Sequence, residues 1–487
     1  MAGGRPGGAT AAGPLDCDIC VIGAGAAGLS VAAAAGMLGV RTVLVERGAM
    51  GGDCLNVGCV PSKALLAAAK MAHRWREAPS LGIRYQPPEI DFPAVMRHVH
   101  GVIDEIAPHD SVARYRALGA TVLQGQARFL GRDAVEVDCP GAASRRVSAR
   151  RFVIATGSRP AAPPIPGLEA VPYLTNESLF DLTALPDHLV VLGGGPIGLE
   201  MAQAFRRLGA AVTVVEAAQA LGRDDPELAG LVLSSLRRDG VVLHEGAAVE
   251  RVAARDGEVE LTLSGGLPPI RGSHLLVAAG RRPNVEALDL PAAGVVAGPR
   301  GIEVDSRLRT ANRRIFAIGD VAGGPQFTHV AGYHAGIVVR NALFRIPARV
   351  DHDTIPWVTY TDPELAWVGR GEAAARAHAG GIRILRWPYA ENDRARAERQ
   401  AAGMIKVIVD RKGRVLGAGV AGAHAGEVVQ PWVLAVQRGM RIGAMAGAVL
   451  PYPTLGEVGK RAAGSYYMAR LFSPLTRKLV GFLLRLP

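Results

Sequence analysis

The sequence predicts an α/β protein with two copies of a strand, glycine turn, helix, strand unit, followed by a third α+β region. Three observations predict it. Residues 21–47 (VIGAGAAGLSVAAAAGMLGVRTVLVER) align without a gap on residues 191–217 (VLGGGPIGLEMAQAFRRLGAAVTVVEA), at a constant offset of 170. In each copy an apolar, β-branched run feeds directly into the glycines, as buried parallel strands do. From about residue 351 the pattern changes to alternating strands and amphipathic helices. A chain of 487 residues exceeds what one core holds, so two to four domains are expected. Its 49% apolar content and 61 glycines suit close-packed α/β layers and argue against disorder.

Composition also narrows the function classes. The net charge of +11 raises the question of nucleic acid, but basic and acidic residues are interspersed, aromatics are 5%, and no nucleic-acid module occurs. No nucleic-acid partner is therefore expected. Five cysteines without a secretory signal point to a reducing, cytoplasmic setting, where a close cysteine pair is more often catalytic or metal-binding than structural. No apolar run reaches the roughly 18 residues of a membrane span.

Taken in order, residues 1–15 are mostly Gly, Ala and Pro with one Arg, and read as a disordered extension. The first unit then carries G-x-G-x-x-G at Gly23, Gly25 and Gly28. The first glycine permits the tight turn, the second lets backbone approach a pyrophosphate, and the third lets the helix pack on the strand. Glu46 ends the second strand, where a carboxylate suits a ribose 2′-hydroxyl and repels a 2′-phosphate. Cys17 and Cys20 lie within the first strand. Side chains three apart on a strand point to opposite faces, so these are expected to be ordinary core cysteines, and Cys139, alone, to be inert.

Directly behind this unit stands GGDCLNVGCVPSKAL, residues 51–65, with Cys54 and Cys59 five positions apart. A metal site would need two more ligands, and none lies nearby in sequence. The second unit repeats the first: Gly193, Gly195 and Gly198, then Glu216. Two such Rossmann-like units imply two dinucleotides, commonly FAD and a nicotinamide nucleotide. The cysteine pair adjoins the first unit, so the carrier there must exchange electrons with sulfur as well as hydride. Flavin does both and nicotinamide only the latter, which assigns FAD to the first unit and NAD(H) to the second. Ala217 and Ala218 follow Glu216 where basic residues would receive a 2′-phosphate, which favours NADH over NADPH.

The segment GGDCLNVGCVPSK resembles the redox motif of the class I pyridine nucleotide-disulfide oxidoreductases, the family of dihydrolipoamide dehydrogenase, glutathione reductase and mercuric reductase. Further landmarks follow in order: ATGSRP at 155–160, AAGRRPN at 278–284, AIGD at 317–320 and TDPELAWVG at 361–369. The resemblance spans residues 16 to about 470. It implies an FAD-binding domain in two parts, 16–160 and 285–350, around an NAD-binding domain, 161–284, with a C-terminal α+β dimerisation domain, 351–470, and a homodimer. Gly23, Gly25, Gly28, Glu46, Gly52, Thr156, Gly157, Gly319 and Asp320 are implied to hold FAD, Asp320 at the ribitol. Gly193, Gly195, Gly198, Glu216 and Gly280 are implied to hold NAD. Cys54 and Cys59, separated by four residues at a helix start, can close a small, reducible disulfide beside amide dipoles that stabilise a thiolate. By resemblance Cys59 is the charge-transfer thiol beside the flavin and Cys54 the interchange thiol. Lys63, on the same helical face as Cys59, is implied to lie near the flavin N5 and to pair with Glu200.

One departure bears on the acceptor. Dihydrolipoamide dehydrogenases and glutathione reductases carry H-P-T-x-x-E, a His–Glu pair that the partner subunit lends to the interchange thiol. Here the segment is PYPTLGE, with Tyr452 in the histidine's place and Glu457 in the glutamate's. Histidine titrates near 6.5 and tyrosine near 10, so at neutral pH the phenol donates a hydrogen bond but is already occupied as a base. Tyr452 is therefore expected to limit turnover of disulfide substrates. Mercuric reductase also has tyrosine there, which makes a metal ion or another non-disulfide acceptor the expectation. No cysteine follows Cys139 to hand Hg(II) inward, so mercuric reduction proper is not expected.

The tail, 471–487, reads as a basic amphipathic helix. From Lys460 to the last residue there are six basic residues and no acidic one, and Leu475, Leu479, Phe482, Leu483 and Leu486 share one helical stripe. Peripheral contact with an anionic membrane face is the expectation it raises. The leading reading is an enzyme in which NADH reduces FAD, FAD opens the Cys54–Cys59 disulfide, and Cys54 passes electrons to a disulfide, metal-ion or quinone-type acceptor. In reverse, a dihydrolipoamide-like dithiol would reduce NAD. The alternative is a non-turnover redox-sensing flavoprotein subunit, membrane-associated through the tail.

Overall fold

Strand β1 (Leu15–Ile22), helix α1 (Ala26–Met37) and strand β2 (Thr42–Glu46) open a computed structural model that describes residues 13–84 and 86–486. Residues 1–12, most of the predicted extension, lie outside the described residues. Ile19, Cys20, Val21, Val43, Leu44 and Val45 are all buried, because both faces of the strands are covered. That is why the strands read as unbroken apolar runs. The Ala-rich α1 can lie close to β1 and to the Thr328–Ala342 helix, with Ala27, Val31, Ala32, Ala335 and Val338 in one core cluster.

Five strands of the first sheet run in the order 120–124, 42–46, 15–22, 145–154, 134–138, with 126–129 on the edge. Its pairs nearest β1 are parallel, and the Ile315–Ala317 strand returns from far along the chain to pair in parallel with Arg145–Ile154. The second sheet is wholly parallel, in the order 242–245, 211–216, 188–192, 274–277, with the Pro196–Leu208 helix crossing between its central strands. The two chain crossings between these sheets lie side by side as an antiparallel ribbon, Ser158–Pro160 against Arg281–Pro283.

The C-terminal region is a five-stranded antiparallel sheet, ordered 357–359, 364–369, 415–422, 404–410, 382–388. Its core holds Trp432, Ala462 and Ala463 from the Gln430–Gln437 and Glu457–Leu471 helices. The α/β class, the two repeated units and the α+β third region are thus as the sequence predicts. One detail differs. Cys17 and Cys20 pack into the same core cluster and not on opposite faces. The amides of Asp18 and Ile19 both donate to the Arg41 carbonyl, and the alternation of faces breaks there, between the cysteines. Both remain core residues: burial pushes the Cys17 thiol up to about 12 and the Cys20 thiol well above its ordinary value.

Candidate active site

The two glycine turns superimpose in their constraints. Gly23 has φ +105° and Gly193 φ +116°, values open to glycine alone among bulky choices. A Cβ on Gly28 would sit 1.8 Å from the Gly23 carbonyl oxygen, and one on Gly198 2.0 Å from that of Gly193. The helix is locked against the strand in both. A Cβ on Gly195 would meet no protein atom within 4 Å, and one on Gly25 only the Gly52 Cα at 3.8 Å. These middle glycines leave a space at the helix N-terminus that the protein does not fill, as a pyrophosphate cradle requires. Each terminal glutamate bends back to its turn: Glu46 accepts from the amides of Ala24 (2.5 Å) and Gly48 (2.7 Å), Glu216 from those of Gly194 (2.7 Å) and Ala218 (2.9 Å). One cavity of about 2980 Å³ is lined by both turns, both glutamates, Gly52, Thr156, Gly157, Gly280, Gly319, Asp320 and the thiol pair. The residues present fit two dinucleotides.

Helix α2 (Gly52–Asn56) carries Cys54, and Cys59 is the first residue of helix α3 (Cys59–His73). Gly52, at φ +60°, passes so close to Gly25 that a Cβ would lie 2.7 Å from its Cα, which ties the cysteine segment to the first turn. Cys54 and Cys59 both stand as free thiols. Cys59 Sγ lies 3.4 Å from Thr328 Oγ1, at the N-terminus of the Thr328–Ala342 helix. The Cys54 thiol, hydrogen-bonded to Cys59, lowers Cys59 to about 6, with help from Thr328 and the Lys63 charge against the opposing effect of burial. The same bond, then burial, pushes Cys54 up. The two shifts run in opposite directions, which favours the proton on Cys54 and the thiolate on Cys59.

Lys63, one turn along α3, donates to Glu200 Oε2 at 2.8 Å and lies 4.4 Å above the Tyr360 ring. Glu200 is buried, 4% exposed, and its other oxygen accepts from the Tyr360 amide at 2.8 Å. A second network flanks the thiols. Arg281 donates to Asp53 Oδ2 (2.9 Å) and to Ser158 Oγ (2.8 Å), and the Ser158 hydroxyl donates to Asp320 Oδ2 (2.5 Å). Burial, partly countered by Ser158 and Arg281, raises Asp320 above its ordinary value. Thr156 Oγ1 donates to the Asn284 carbonyl at 2.7 Å, closing the ribbon over Gly157. Tyr452 and Glu457 do not line this cavity. Tyr452 is 68% exposed and donates to Asp393 Oδ2 at 3.0 Å, while Glu457 begins the Glu457–Leu471 helix.

The family model described as "Pyridine nucleotide-disulphide oxidoreductase" matches residues 17–335, and that of the family's dimerisation domain matches residues 355–463. The chain belongs to the pyridine nucleotide-disulfide oxidoreductase family. It is 38% identical to the mercuric reductase of Streptomyces lividans over 456 residues, 92% of this chain and 96% of that one. To the dihydrolipoyl dehydrogenase of Geobacillus stearothermophilus it is 32% identical over 455 residues, again 92% and 96%. Among solved structures, the Cu(II) complex of the HOCl-induced flavoprotein disulfide reductase RclA from Escherichia coli matches with a TM-score of 0.84 at 28% identity, covering 92% of this chain and 99% of that chain. This oxidoreductase is accordingly an enzyme that uses FAD and a nicotinamide dinucleotide, and it carries a dimerisation domain.

Several residues of the oxidoreductase's site were not singled out from sequence: Thr328 against Cys59, Tyr360 over Lys63, and the Asp53, Ser158, Arg281 network. Arg281 and Ser158 stand inside landmark motifs, which was the available signal. Arg223 also lines the cavity on the Glu216 side.

Proposed function

We propose that this oxidoreductase carries reducing equivalents from NADH to the Cys54–Cys59 pair and releases them from Cys54 to a thiophilic metal ion. FAD sits against the first glycine turn and NAD(H) against the second, in domains 16–160 with 285–350 and 161–284. FAD supplies hydride acceptance on one side and electron exchange with sulfur on the other. The chain's own residues then divide the work. Glu46 and Glu216 hold the riboses, Asp320 is turned by Ser158 so that one oxygen stays free for a hydroxyl donor, and Lys63, fixed by Glu200, supplies a positive charge beside Cys59. Two electrons entering the disulfide break its S–S bond and leave a thiolate on Cys59 and, with one proton taken up, a thiol on Cys54.

The observation that carries the acceptor assignment is Tyr452. Its phenol is exposed, protonated and engaged as a donor to Asp393, which holds it above its ordinary value. It lends no base to a thiol–disulfide exchange from the partner of a homodimer built on residues 351–470. Metal ions need no such base, and they are named for the relatives cited above: mercury as the reductase's substrate, copper as the ion in the RclA complex. Glu216, followed by two alanines, supports NADH over NADPH. The enzyme works in the cytoplasm, with peripheral contact at the inner membrane face through 471–487.

An acceptor screen with NADH tests this: Hg(II), Cu(II), lipoamide, glutathione disulfide and a quinone, on wild type and Tyr452→His. We expect a metal ion to support the fastest NADH oxidation, and the histidine variant to gain disulfide reduction by roughly tenfold or more, the low end of general-base contributions. Rapid lipoamide turnover by wild type would overturn the metal assignment. NADH reduction followed by no reoxidation from any acceptor would favour the sensing role.

A further inference from the structure

The Pro474–Leu483 helix buries none of its residues, although it is regular and capped, with Ser473 Oγ accepting from the Thr476 amide at 3.2 Å. Its apolar side chains face outward: Leu475 is 78% exposed, Phe482 60% and Leu484 81%. Met468, Leu471 and Phe472, at the end of the preceding helix, are each more than half exposed as well. At 100° per residue, Leu475, Leu479, Phe482, Leu483 and Leu486 fall within an arc of about 100°, Lys478 and Arg485 flank one edge of it, and Arg477 lies opposite. A soluble surface does not ordinarily leave so many large apolar groups of one short segment uncovered.

We infer that this helix docks on a lipid surface bearing anionic headgroups, lying in the interface plane with the leucine and phenylalanine side inserted. The inference deepens the peripheral-contact part of the reading above and is independent of the acceptor. Three considerations select lipid over other covers. None of the helix residues is buried against the rest of the chain. A second copy of the same helix would bring like charge to like charge, since the segment from Lys460 onward holds six basic residues and no acidic one. The helix is ten residues, about 15 Å, half the hydrocarbon thickness, so it lies along the bilayer and does not cross it. The basic side chains flanking the inserted strip reach headgroup phosphates, each adding to retention on an anionic surface.

The test uses the full-length FAD-loaded protein and three samples: wild type, Leu479→Glu with Phe482→Glu, and a form ending at Ser473. Co-sedimentation is measured with vesicles of phosphatidylglycerol and phosphatidylcholine, and of phosphatidylcholine alone. NADH oxidation with ferricyanide is followed in each sample, together with mass by light scattering. Wild type is expected on the anionic vesicles, with at least tenfold lower retention on neutral ones and for both variants, at unchanged NADH oxidation and unchanged mass. Equal retention of wild type and variants overturns the inference. So does a fall in mass in the variants, which would place the helix on a second copy. Loss of NADH oxidation in all three samples would count against the redox reading and leave the lipid result to stand by itself.

Discussion

A single proton distinguishes the two cysteines. Cys59 is lowered to about 6 chiefly by the hydrogen bond from Cys54, and Cys54 is raised by the same bond. In the reduced protein the Cys59 thiolate should therefore persist at neutral pH and disappear as pH falls through about 6. Replacing Cys54 by Ala removes the donor, so the midpoint should move up toward the ordinary thiol range. Thiolate ultraviolet absorbance against pH measures both, and an unmoved midpoint in Cys54→Ala would assign the shift to Lys63 and Thr328 instead. Arg281 acts on a neighbouring balance. It stands between Asp53 and Asp320, and without it two carboxylates would face a cavity that must take an anionic pyrophosphate. Arg281→Met is expected to lower FAD retention through gel filtration by roughly tenfold, as loss of a charged hydrogen bond does, with partial recovery in Arg281→Met/Asp53→Asn. Full retention in the single variant would remove that role. Residues 53, 158 and 281 carry no common spacing, so their convergence depends on the ribbon that pairs Ser158–Pro160 with Arg281–Pro283 and was not legible in the sequence.

Elements were legible where the constraint is local. Both glycine turns follow from three backbone requirements within six residues, and the structure repeats them at 1.8 and 2.0 Å in the two halves. The facing of Cys17 and Cys20 was not legible, because the break in alternation at Asp18 accompanies a pair of hydrogen bonds to the Arg41 carbonyl, from the turn before the next strand. Tyr452 could be recognised as a departure, yet its relation to the thiols is not made within one chain. The repeated turns separate the two cofactor assignments. Gly28→Ala forces its new methyl into the Gly23 carbonyl, an overpacking of about 1–3 kcal/mol concentrated at the first cradle, and should yield protein with depleted flavin. Gly198→Ala makes the equivalent clash at the second cradle and should yield yellow protein that dithionite reduces but NADH reduces slowly. Flavin absorbance of each purified variant, before and after NADH, decides it; the opposite pattern would exchange the two assignments.

At the scale of the whole molecule, the second parallel sheet and the C-terminal sheet must hold a fixed relation, because Lys63 is positioned by Glu200 on the Pro196–Leu208 helix of one and by Tyr360, just after the Trp357–Thr359 strand, of the other. Part of that relation rests on one buried cation. Lys406, in the Met404–Asp410 strand, donates to Asp225 at 2.7 Å and lies 3.2 Å from both Glu227 and Glu372, with its side chain 4% exposed. Burial alone would lower its ammonium, but the carboxylates more than offset this and raise it. Asp225 cannot turn away, since it also caps the Pro226–Arg238 helix by accepting from the Glu227 and Leu228 amides. Removing the cation leaves that carboxylate buried without a counter-charge, the situation that costs about 3–5 kcal/mol, whereas removing both charges costs much less. Lys406→Met should therefore destabilise the junction by about 3 kcal/mol in urea unfolding followed by tryptophan fluorescence, and Lys406→Met/Asp225→Asn should recover most of it. If the double variant were as unstable as the single one, the methylene packing of Lys406 and not its charge would be what joins the two sheets.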